Sequence, residues 1–231
     1  MKRFYKDVAV VAESGGHGIM LDGRPVRTPG RVPLILPTAA LADAIAAEWR
    51  AQGDTLDPRT MMMTGLANAA IDQIAPDAAT FAAGIARYGE SDLLCYRAHG
   101  PRELVERQNA VWDPILNWAQ TRYGIVLQVT QGVLPVAQPP ETLERLGDAV
   151  AAFDPFALAG LSTMVTLSGS LLCGLAVLEG AHDAAIIWDA AEIDEAWQAE
   201  IWGEDAEAVD RSSRRTHDFL TACAFCALAR G

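Results

Sequence analysis

The sequence predicts an α+β fold, with a small antiparallel β-rich N-terminal domain followed by a larger all-helical C-terminal domain. Short apolar runs separated by tight-turn residues fill positions 1–37, which is typical of short strands. Apolar residues at helical spacing dominate the later sequence, and the composition changes between residues 53 and 60. We therefore expect a β-rich domain with one helix over residues 1–56 and a helical domain over residues 57–231.

The dipeptide Asp22-Gly23 is the clearest turn signal in the β-rich part. It separates Ile19-Met20-Leu21 from the segment Arg24–Arg27, and Asp-Gly between such runs is typical of a two-residue hairpin turn. The glycine-rich loop Ser14–Gly18 has neither phosphate-binding pattern, GxxxxGK[ST] or GxGxxG, so we interpret it as another hairpin loop. Pro29-Gly30 turns the chain again, and three or four short strands are expected.

Helices are expected in the remaining sequence. Thr38 is a suitable N-cap for a first helix that ends near Gln52. Pro114 is expected either to kink a helix over 102–123 or to start a new one with Asp113 as its cap. A brief strand is expected over 125–130. Other helices are predicted over about residues 60–74, 76–88, 139–153, 155–178 and 181–210, with a last helix from about Glu204 to Ala229.

The charge balance limits the classes of partner. With 18 Lys and Arg against 30 Asp and Glu, the formal net charge is −12. This charge repels phosphate backbones and anionic lipids, so neither nucleic acid nor a membrane surface is expected as a partner. The uncharged stretch Pro155–Leu178 is long enough to span a bilayer, but its Ser, Thr and Gly content and acidic flanks favour a buried central helix.

No catalytic constellation or cofactor site is predicted. Cys223 and Cys226 have redox spacing but fall near the end of a predicted helix, whereas reactive pairs favour a helix N-terminus; we interpret the cysteines as buried, reduced thiols. Ser168-Gly169-Ser170 lacks the GxSxG pattern of a hydrolase. Neither EF-hand spacing nor an E-x-x-H motif accompanies the clustered acids Asp189, Glu192, Asp194 and Glu195, so no metal is expected.

The stretch Ala181–Asp210 is the most unusual in the chain, with ten acidic residues, no Lys or Arg, and three of the six tryptophans. Read as one helix, it has a stripe expected to face a core, formed by Ile186, Ala190, Ile193, Trp197 and Ile201. The opposite stripe contains Trp188, Glu192, Glu195, Ala199 and Trp202. Trp beside acids suits a partner with basic groups, but another element of the same chain would cover this stripe equally well.

Several ordered motifs resemble one known family. They are Arg3-Phe4-Tyr5-Lys6, the run Leu21–Pro29, Glu48-Trp49, Leu66-Ala67-Asn68, Ala70-Ile71-Asp72, the run Ser91–Arg97, Trp112-Asp113-Pro114, Asp194-Glu195 and Trp202-Gly203. Together they resemble the F-type ATP synthase assembly chaperone family that attends the α subunit of the catalytic head. The resemblance runs nearly end to end. Met62 and Ala69 depart from it, since the family pattern has Pro and Thr there.

The resemblance implies a non-enzymatic chaperone that holds newly made α subunit until β subunit replaces it. It places a functionally important acid at Asp194 or Glu195. We expect the partner-binding residues to be Trp188, Glu192, Asp194, Glu195 and Trp202. Arg24 and Arg27 are a second candidate surface, or else they pair with acids of the helical part. A general anti-aggregation holdase and a small hydrolase are the alternative functions.

The resemblance and the first residues together predict where the protein works. Such proteins act in mitochondria or in the cytoplasm of related bacteria. The sequence Met1–Glu13 has neither the apolar run of a signal peptide nor the acid-poor composition of a transit peptide, which favours the bacterial cytoplasm. When free of its client, the protein is expected to be a monomer.

Overall fold

The computed structural model describes residues 1–203 and 206–231 and confirms the α+β fold class. Contacts between Cα atoms divide the chain into two compact units. The first contains residues 1–78, 154–160 and 221–231, and the second contains residues 79–153 and 161–220. The domain boundary expected between residues 56 and 57 stays a prediction.

A small antiparallel sheet forms part of the first unit. Its strands are β1 (Val8–Glu13), β2 (Gly16–Leu21), β3 (Arg24–Pro25) and β4 (Ile35–Leu36). Strand β2 pairs with each of the other three. Asp22 and Gly23 have φ angles of 48° and 75°, the left-handed values that a tight hairpin turn requires, so the predicted turn is confirmed.

Helix α1 (Ala39–Arg50) contacts β1, β2 and β4 of this sheet. Thr38 caps it as predicted, because its Oγ1 accepts a hydrogen bond of 3.1 Å from the backbone N–H of Leu41. Leu41 and Ile45 lie one turn apart and are fully buried, as are Ile19 and Leu36 of the sheet. These apolar side chains form the core of the first unit.

The middle of the chain consists mainly of short helical segments. A 3-10 turn (Pro58–Thr60) leads into α2 (Met62–Ala69), which continues as a π-helical turn (Ala70–Ile74). Helix α3 (Ala78–Ala86) follows. Further 3-10 turns cover Ala75–Asp77, Arg87–Ser91 and Leu93–Cys95.

Helix α4 (Arg102–Tyr123) continues through Pro114, so the proline starts no new helix and Asp113 is not a cap. Gly124, with a φ of 65°, ends it in the left-handed conformation. The strand expected over 125–130 is wrong for most of its length. Only β6 (Thr130–Gln131) is extended and paired, in parallel with β5 (Tyr96–Arg97).

Six helices complete the described chain: α5 (Pro140–Ala151), α6 (Pro155–Ser168), α7 (Leu171–Leu178), α8 (Ala184–Ala191), α9 (Ile193–Trp202) and α10 (Ala206–Arg230). The predicted start of the last helix at Glu204 lies outside the described residues. Among those that are described, no helix is both long enough and apolar enough to cross a membrane.

The uncharged stretch is two helices and not the single helix expected. Gly169, with a φ of 70°, separates α6 from α7. Ser170 caps α7 by accepting a hydrogen bond of 3.0 Å from Cys173 N–H. The carboxylate of Asp92 accepts from the Ser170 hydroxyl at 2.7 Å and from Leu172 N–H at 3.0 Å. Side-chain oxygens therefore accept hydrogen bonds from the first backbone N–H groups of α7, which is a buried helix. Helix propensity alone would have merged α7 with α6.

The acidic stretch is also interrupted, which corrects the two predicted stripes. Glu192 has φ −94° and ψ 11°, and it ends α8 and precedes α9. Ile186 and Ile201, expected in the core, are 61% and 53% exposed. Because the backbone of Glu192 departs from helical dihedral angles, a helical wheel with one constant rotation per residue does not hold across both segments.

Candidate functional site

An open groove lies between α9 and the first half of α10, with a volume of about 550 Å³. We call it the α9–α10 groove. From α9 and the residues flanking it, its lining includes Glu192, Glu195, Gln198, Trp202 and Gly203. From α10, it includes Ala208, Arg211, Ser212 and Arg215. Three of the five predicted partner-binding residues, Glu192, Glu195 and Trp202, therefore share one surface feature.

Trp202 is the most exposed large side chain of the groove, with 83% of its surface accessible. Glu195, two turns earlier on α9, is exposed as well. Ile201 beside it and Val209 on α10 are also exposed apolar residues. A large exposed indole belongs to an interaction surface more often than to an ordinary solvated helix face.

Glu192 closes the inner end of the groove through an ion pair with Arg215. Two nitrogens of the guanidinium lie 2.9 and 3.1 Å from the two carboxylate oxygens. Arg215 also donates to the carbonyl of Leu167 at 2.9 Å. Burial raises the pKa of Glu192, while Arg215 opposes that rise and Glu195 adds to it. Glu192 is thus engaged within the chain by an arginine of the following helix.

Trp188 was expected to contact a partner, and its placement corrects that expectation. It is only 5% exposed. Its ring lies 4.8 Å from that of Phe219, and its indole N–H donates to Thr216 Oγ1 at 2.8 Å. Arg215 lies over the same ring, at 5.4 Å from the centroid. Trp188 therefore faces α10 and belongs to the core that supports the groove.

Asp194 also points inward, to the first half of α4. Its carboxylate accepts a hydrogen bond of 2.7 Å from the side-chain amide of Gln108, which is fully buried. The Gln108 side-chain oxygen in turn accepts from Ala98 N–H, and its backbone carbonyl accepts from Arg97. Asp194 thereby fixes α9 on α4, and Glu195, the other candidate for the important acid, is left at the surface.

A second contact between α4 and α9 involves residues that the sequence analysis did not select. Arg107 donates to both carboxylate oxygens of Glu200, at 2.7 and 2.8 Å. Its guanidinium also lies 4.7 Å from the centre of the Trp197 ring. The sequence analysis missed Arg107 and Gln108 because their partners on α9 are about 85 or more positions away in the sequence. It missed Arg97 because its partner Gln108 lies beyond the turn that follows β5. Only the motifs Ser91–Arg97 and Trp112-Asp113-Pro114 indicated that this region matters.

The cysteine and serine side chains that were considered for redox or hydrolytic chemistry lie in surroundings that indicate a structural role. All four cysteines are buried, and burial raises the pKa of Cys173 and Cys226 to about 12, which keeps both as thiols. Ser170 is fully buried and bonded to Asp92, as a helix cap. Within residues 1–203 and 206–231, no group of three or more His, Cys, Asp and Glu side chains is placed to hold a metal ion.

Comparison with known proteins identifies the family to which the chain belongs. The model of the family described as ATP12 chaperone protein matches residues 2–120. The chain belongs to the ATP12 family. This family comprises assembly chaperones of ATP synthase, as the sequence resemblance implied.

Solved structures and a curated relative agree with this assignment. Atp12 from Paracoccus denitrificans is 45% identical, with a TM-score of 0.92, and the match covers 99% of this chain and 98% of that one. A single-substitution variant of the P. denitrificans protein has 44% identity and the same TM-score, over 99% of this chain and 97% of that one. Mitochondrial atp12 of Schizosaccharomyces pombe is 25% identical over 90% of this chain and 77% of its own length.

Proposed function

We propose that this chain binds the free α subunit of the F-type ATP synthase catalytic head and covers its subunit interface until β subunit takes over. Membership of the ATP12 family supports an assembly role. The observation that carries the finer proposal is the exposure of Trp202 beside Glu195 in the α9–α10 groove. Neither side chain is recorded in a hydrogen bond or ion pair among the described residues, so both are available to a client.

An α subunit that lacks β exposes an interface with apolar surface, and such surface drives aggregation. A chaperone needs to cover only part of it. In our proposal, Trp202 and Ile201 supply the apolar contact and Glu195 selects Arg or Lys on the client. Glu192 and Asp194 act indirectly, because the first holds Arg215 and the second holds Gln108.

The groove also suits a transient complex. One exposed tryptophan and one exposed acid form a small anchor, whereas permanent subunit interfaces are larger and more apolar. A weaker contact releases faster, since related complexes differ mainly in dissociation rate. A β subunit that buries a larger surface on α would then displace the chaperone by occupying the same interface.

The proposal is tested by coexpression with affinity-tagged α subunit and co-purification. Trp202→Ala and Glu195→Lys should each weaken capture, and the double variant should lose it. Truncation of an interface anchor costs ~2 kcal/mol, or about a thirtyfold rise in Kd. Matched controls are Leu134→Ala, an exposed apolar residue outside the groove, and Glu144→Lys, an exposed acid on α5. Undiminished capture by the double variant would place the client site elsewhere.

The main alternative is that the chain is a general holdase. A test with a second, unrelated client protein distinguishes this function from the proposed one. The chain should suppress aggregation of α subunit at equimolar ratio and leave citrate synthase unprotected. Equal protection of both clients would contradict selective recognition by Glu195. Addition of β subunit should then release α from the chain, which a passive holdase does not require.

The setting of this activity is part of the proposal. The 44–45% identity with a P. denitrificans protein favours a bacterial cell, and we place the chain in its cytoplasm, as a monomer when free. Sedimentation of the isolated chain tests the oligomeric state. A stable dimer that dissociates on addition of α subunit would replace the monomer in this scheme.

A further inference from the structure

A hollow on the first unit is separate from the α9–α10 groove in its residues. Its volume is about 420 Å³. The residues that line it come from three segments that carry the family resemblance but that the proposed function does not use: Phe4, Tyr5, Leu21, Asp22, Arg24, Pro25, Val26, Arg27 and Trp49. We call it the arginine–aromatic hollow.

The floor of the hollow is rigid. Tyr5 is buried, its hydroxyl donates to the carbonyl of Trp49 at 2.7 Å, and its ring meets the Trp49 ring edge to face at 5.6 Å. Arg3 supports the Tyr5 backbone by donating to the carbonyls of Tyr5 and Gln52 at 3.1 and 2.6 Å. A floor held by this many contacts offers a partner a fixed apolar shape, which lowers the entropy lost on binding.

The rim carries both apolar and basic groups at the surface. Phe4 is 63% exposed although it is aromatic. Arg24 and Arg27 are exposed, and neither takes part in an ion pair with the described acidic side chains. Asp22 is the one acid among the described residues that line the hollow. Its Oδ1 accepts from the backbone N–H groups of Lys6 and Asp7, and these bonds, together with the nearby charges of Lys6 and Arg24, lower its pKa. The rim therefore carries two guanidinium groups and one carboxylate, and backbone N–H groups already donate to that carboxylate.

The loop that follows Arg27 is held in place from outside the hollow. Asp72, after α2, accepts from Thr28 Oγ1 at 2.6 Å and from Gly30 N–H at 2.7 Å. A Cβ at Gly30 would lie 2.7 Å from the Asp72 carboxylate, so only glycine fits without a shift. Arg27 donates to the carbonyl of Arg31 at 2.8 Å across this loop. The Arg27 side chain is thus oriented in advance and not freely rotating.

Charge also differs between the units. The first unit contains nine Lys and Arg and ten Asp and Glu, for a net charge of −1, and the second contains nine and twenty, for −11. An acidic partner is therefore repelled by most of the chain but not by the first unit. Between Arg24 and Arg31 there are three arginines and no acid. An acidic segment therefore meets less repulsion at the first unit than at the second, and the hollow offers it the guanidinium groups of Arg24 and Arg27.

We propose that the arginine–aromatic hollow is a docking site for an extended acidic segment of a partner protein in which aliphatic and acidic side chains alternate. An extended chain directs successive side chains to opposite sides. Aliphatic groups would then rest on Phe4 and Trp49 while carboxylates reach Arg24 and Arg27. This site goes beyond the proposed client groove, because it uses none of the same residues and recognises the opposite charge.

The test measures binding of a short fluorescein-labelled peptide to the full chain by fluorescence anisotropy. Glu and Leu alternate in this peptide, and a labelled peptide in which Lys and Leu alternate is the matched control. The chain should bind the Glu-Leu peptide and not the Lys-Leu peptide, and binding should weaken as salt is raised. Arg24→Glu with Arg27→Glu should raise Kd about tenfold, because two attractive pairs become repulsive. Phe4→Ala should weaken binding severalfold.

The control for charge is Lys2→Glu with Arg31→Glu, two basic residues of the same unit that do not line the hollow. The control for Phe4 is Val32→Ala, another exposed apolar residue. All variants are checked for an unchanged unfolding midpoint. Equal binding by Arg24→Glu/Arg27→Glu and its control, or equal binding of both peptides, would overturn the proposal.

Two further results keep this site distinct from the client groove and from self-association. Glu195→Lys with Trp202→Ala should leave peptide binding unchanged, whatever it does to capture of α subunit. If the chain instead dimerises and Arg24→Glu/Arg27→Glu makes it monomeric without a change in peptide binding, the occupant is a second copy and the proposal fails.

Discussion

Helices α8 and α9 are neighbours in the chain, and each contains a tryptophan expected on the same stripe, yet these two tryptophans have opposite surroundings. Trp188 on α8 is packed on Phe219 and bonded to Thr216. Trp202 on α9 is open to solvent at the mouth of the α9–α10 groove. Helix α8 thus contributes its tryptophan to the core, whereas α9 leaves Trp202 at the surface.

In our proposal, this contrast separates stability from recognition along one short stretch. Residues of α8 and of the start of α9 that point inward hold the helices together, and exposed residues of α9 contact the client. Substitutions on the two sides should therefore act on different measurements. Four variants test that division, in order of decreasing effect on the free energy of unfolding.

Trp188→Ala should have the largest effect. It removes a buried aromatic side chain and its hydrogen bond to Thr216, and such truncations cost ~3–5 kcal/mol. Urea unfolding of the variant and of wild type gives the difference. A loss below ~1 kcal/mol, with impaired capture of α subunit, would mean that Trp188 contacts the client directly and that the two helices do not differ as described.

Arg215→Ala should cost ~2 kcal/mol near neutral pH. It leaves Glu192 without its cation, but 34% of the Arg215 side chain is exposed, so the loss is smaller than for a fully buried pair. The pKa of Glu192 is already raised by burial, and removal of Arg215 raises it further. Protonation of Glu192 relieves the unpaired charge, so the deficit should shrink as pH falls toward the ordinary glutamate range. A deficit independent of pH would contradict the ion-pair explanation.

Asp194→Ala should cost ~1–2 kcal/mol, because it leaves the buried amide of Gln108 without its acceptor. Asp194→Asn supplies a neutral oxygen at the same place and should recover most of the loss. Chemical unfolding of both variants distinguishes hydrogen bonding from charge. If Asn were as harmful as Ala, the negative charge of Asp194 and not its bond to Gln108 would be what holds α9.

Trp202→Ala should change the free energy of unfolding by less than ~0.5 kcal/mol, since an exposed side chain loses few contacts. The same variant should show the greatest loss of α-subunit capture among these four. A destabilisation comparable to that of Trp188→Ala would show that Trp202 is covered in solution, and the groove would then lose its anchor.

The sequence was sufficient for features controlled by neighbouring residues. The Asp22-Gly23 turn and the Thr38 cap depend on backbone conformations that particular residues favour, and both are present. The breaks at Gly169 and Glu192 were not foreseen. The first depends on Asp92, nearly 80 positions away, which bonds Ser170 and Leu172 and stabilises a new helix start.

The candidate site was predicted only in part, for a related reason. Acids beside tryptophan indicated the region, and Glu195 and Trp202 do lie at the surface of one groove. A helical wheel cannot say that Asp194 meets Gln108, because that depends on how α9 packs on α4. It also assigned Trp188 to the outside, because it placed the core on the side of Ile186, which is exposed.

The hydrogen bond from Thr38 Oγ1 to the carbonyl of Leu228, 2.5 Å long, has a consequence for the order of synthesis. The first unit contains residues 221–231, whose Phe225 stacks on Phe156 at 6.2 Å. A ribosome makes residues 1–78 first, but residues 221–231 are made only after all of the second unit. The first unit of this assembly chaperone therefore receives its last partners after the whole second unit has been synthesised.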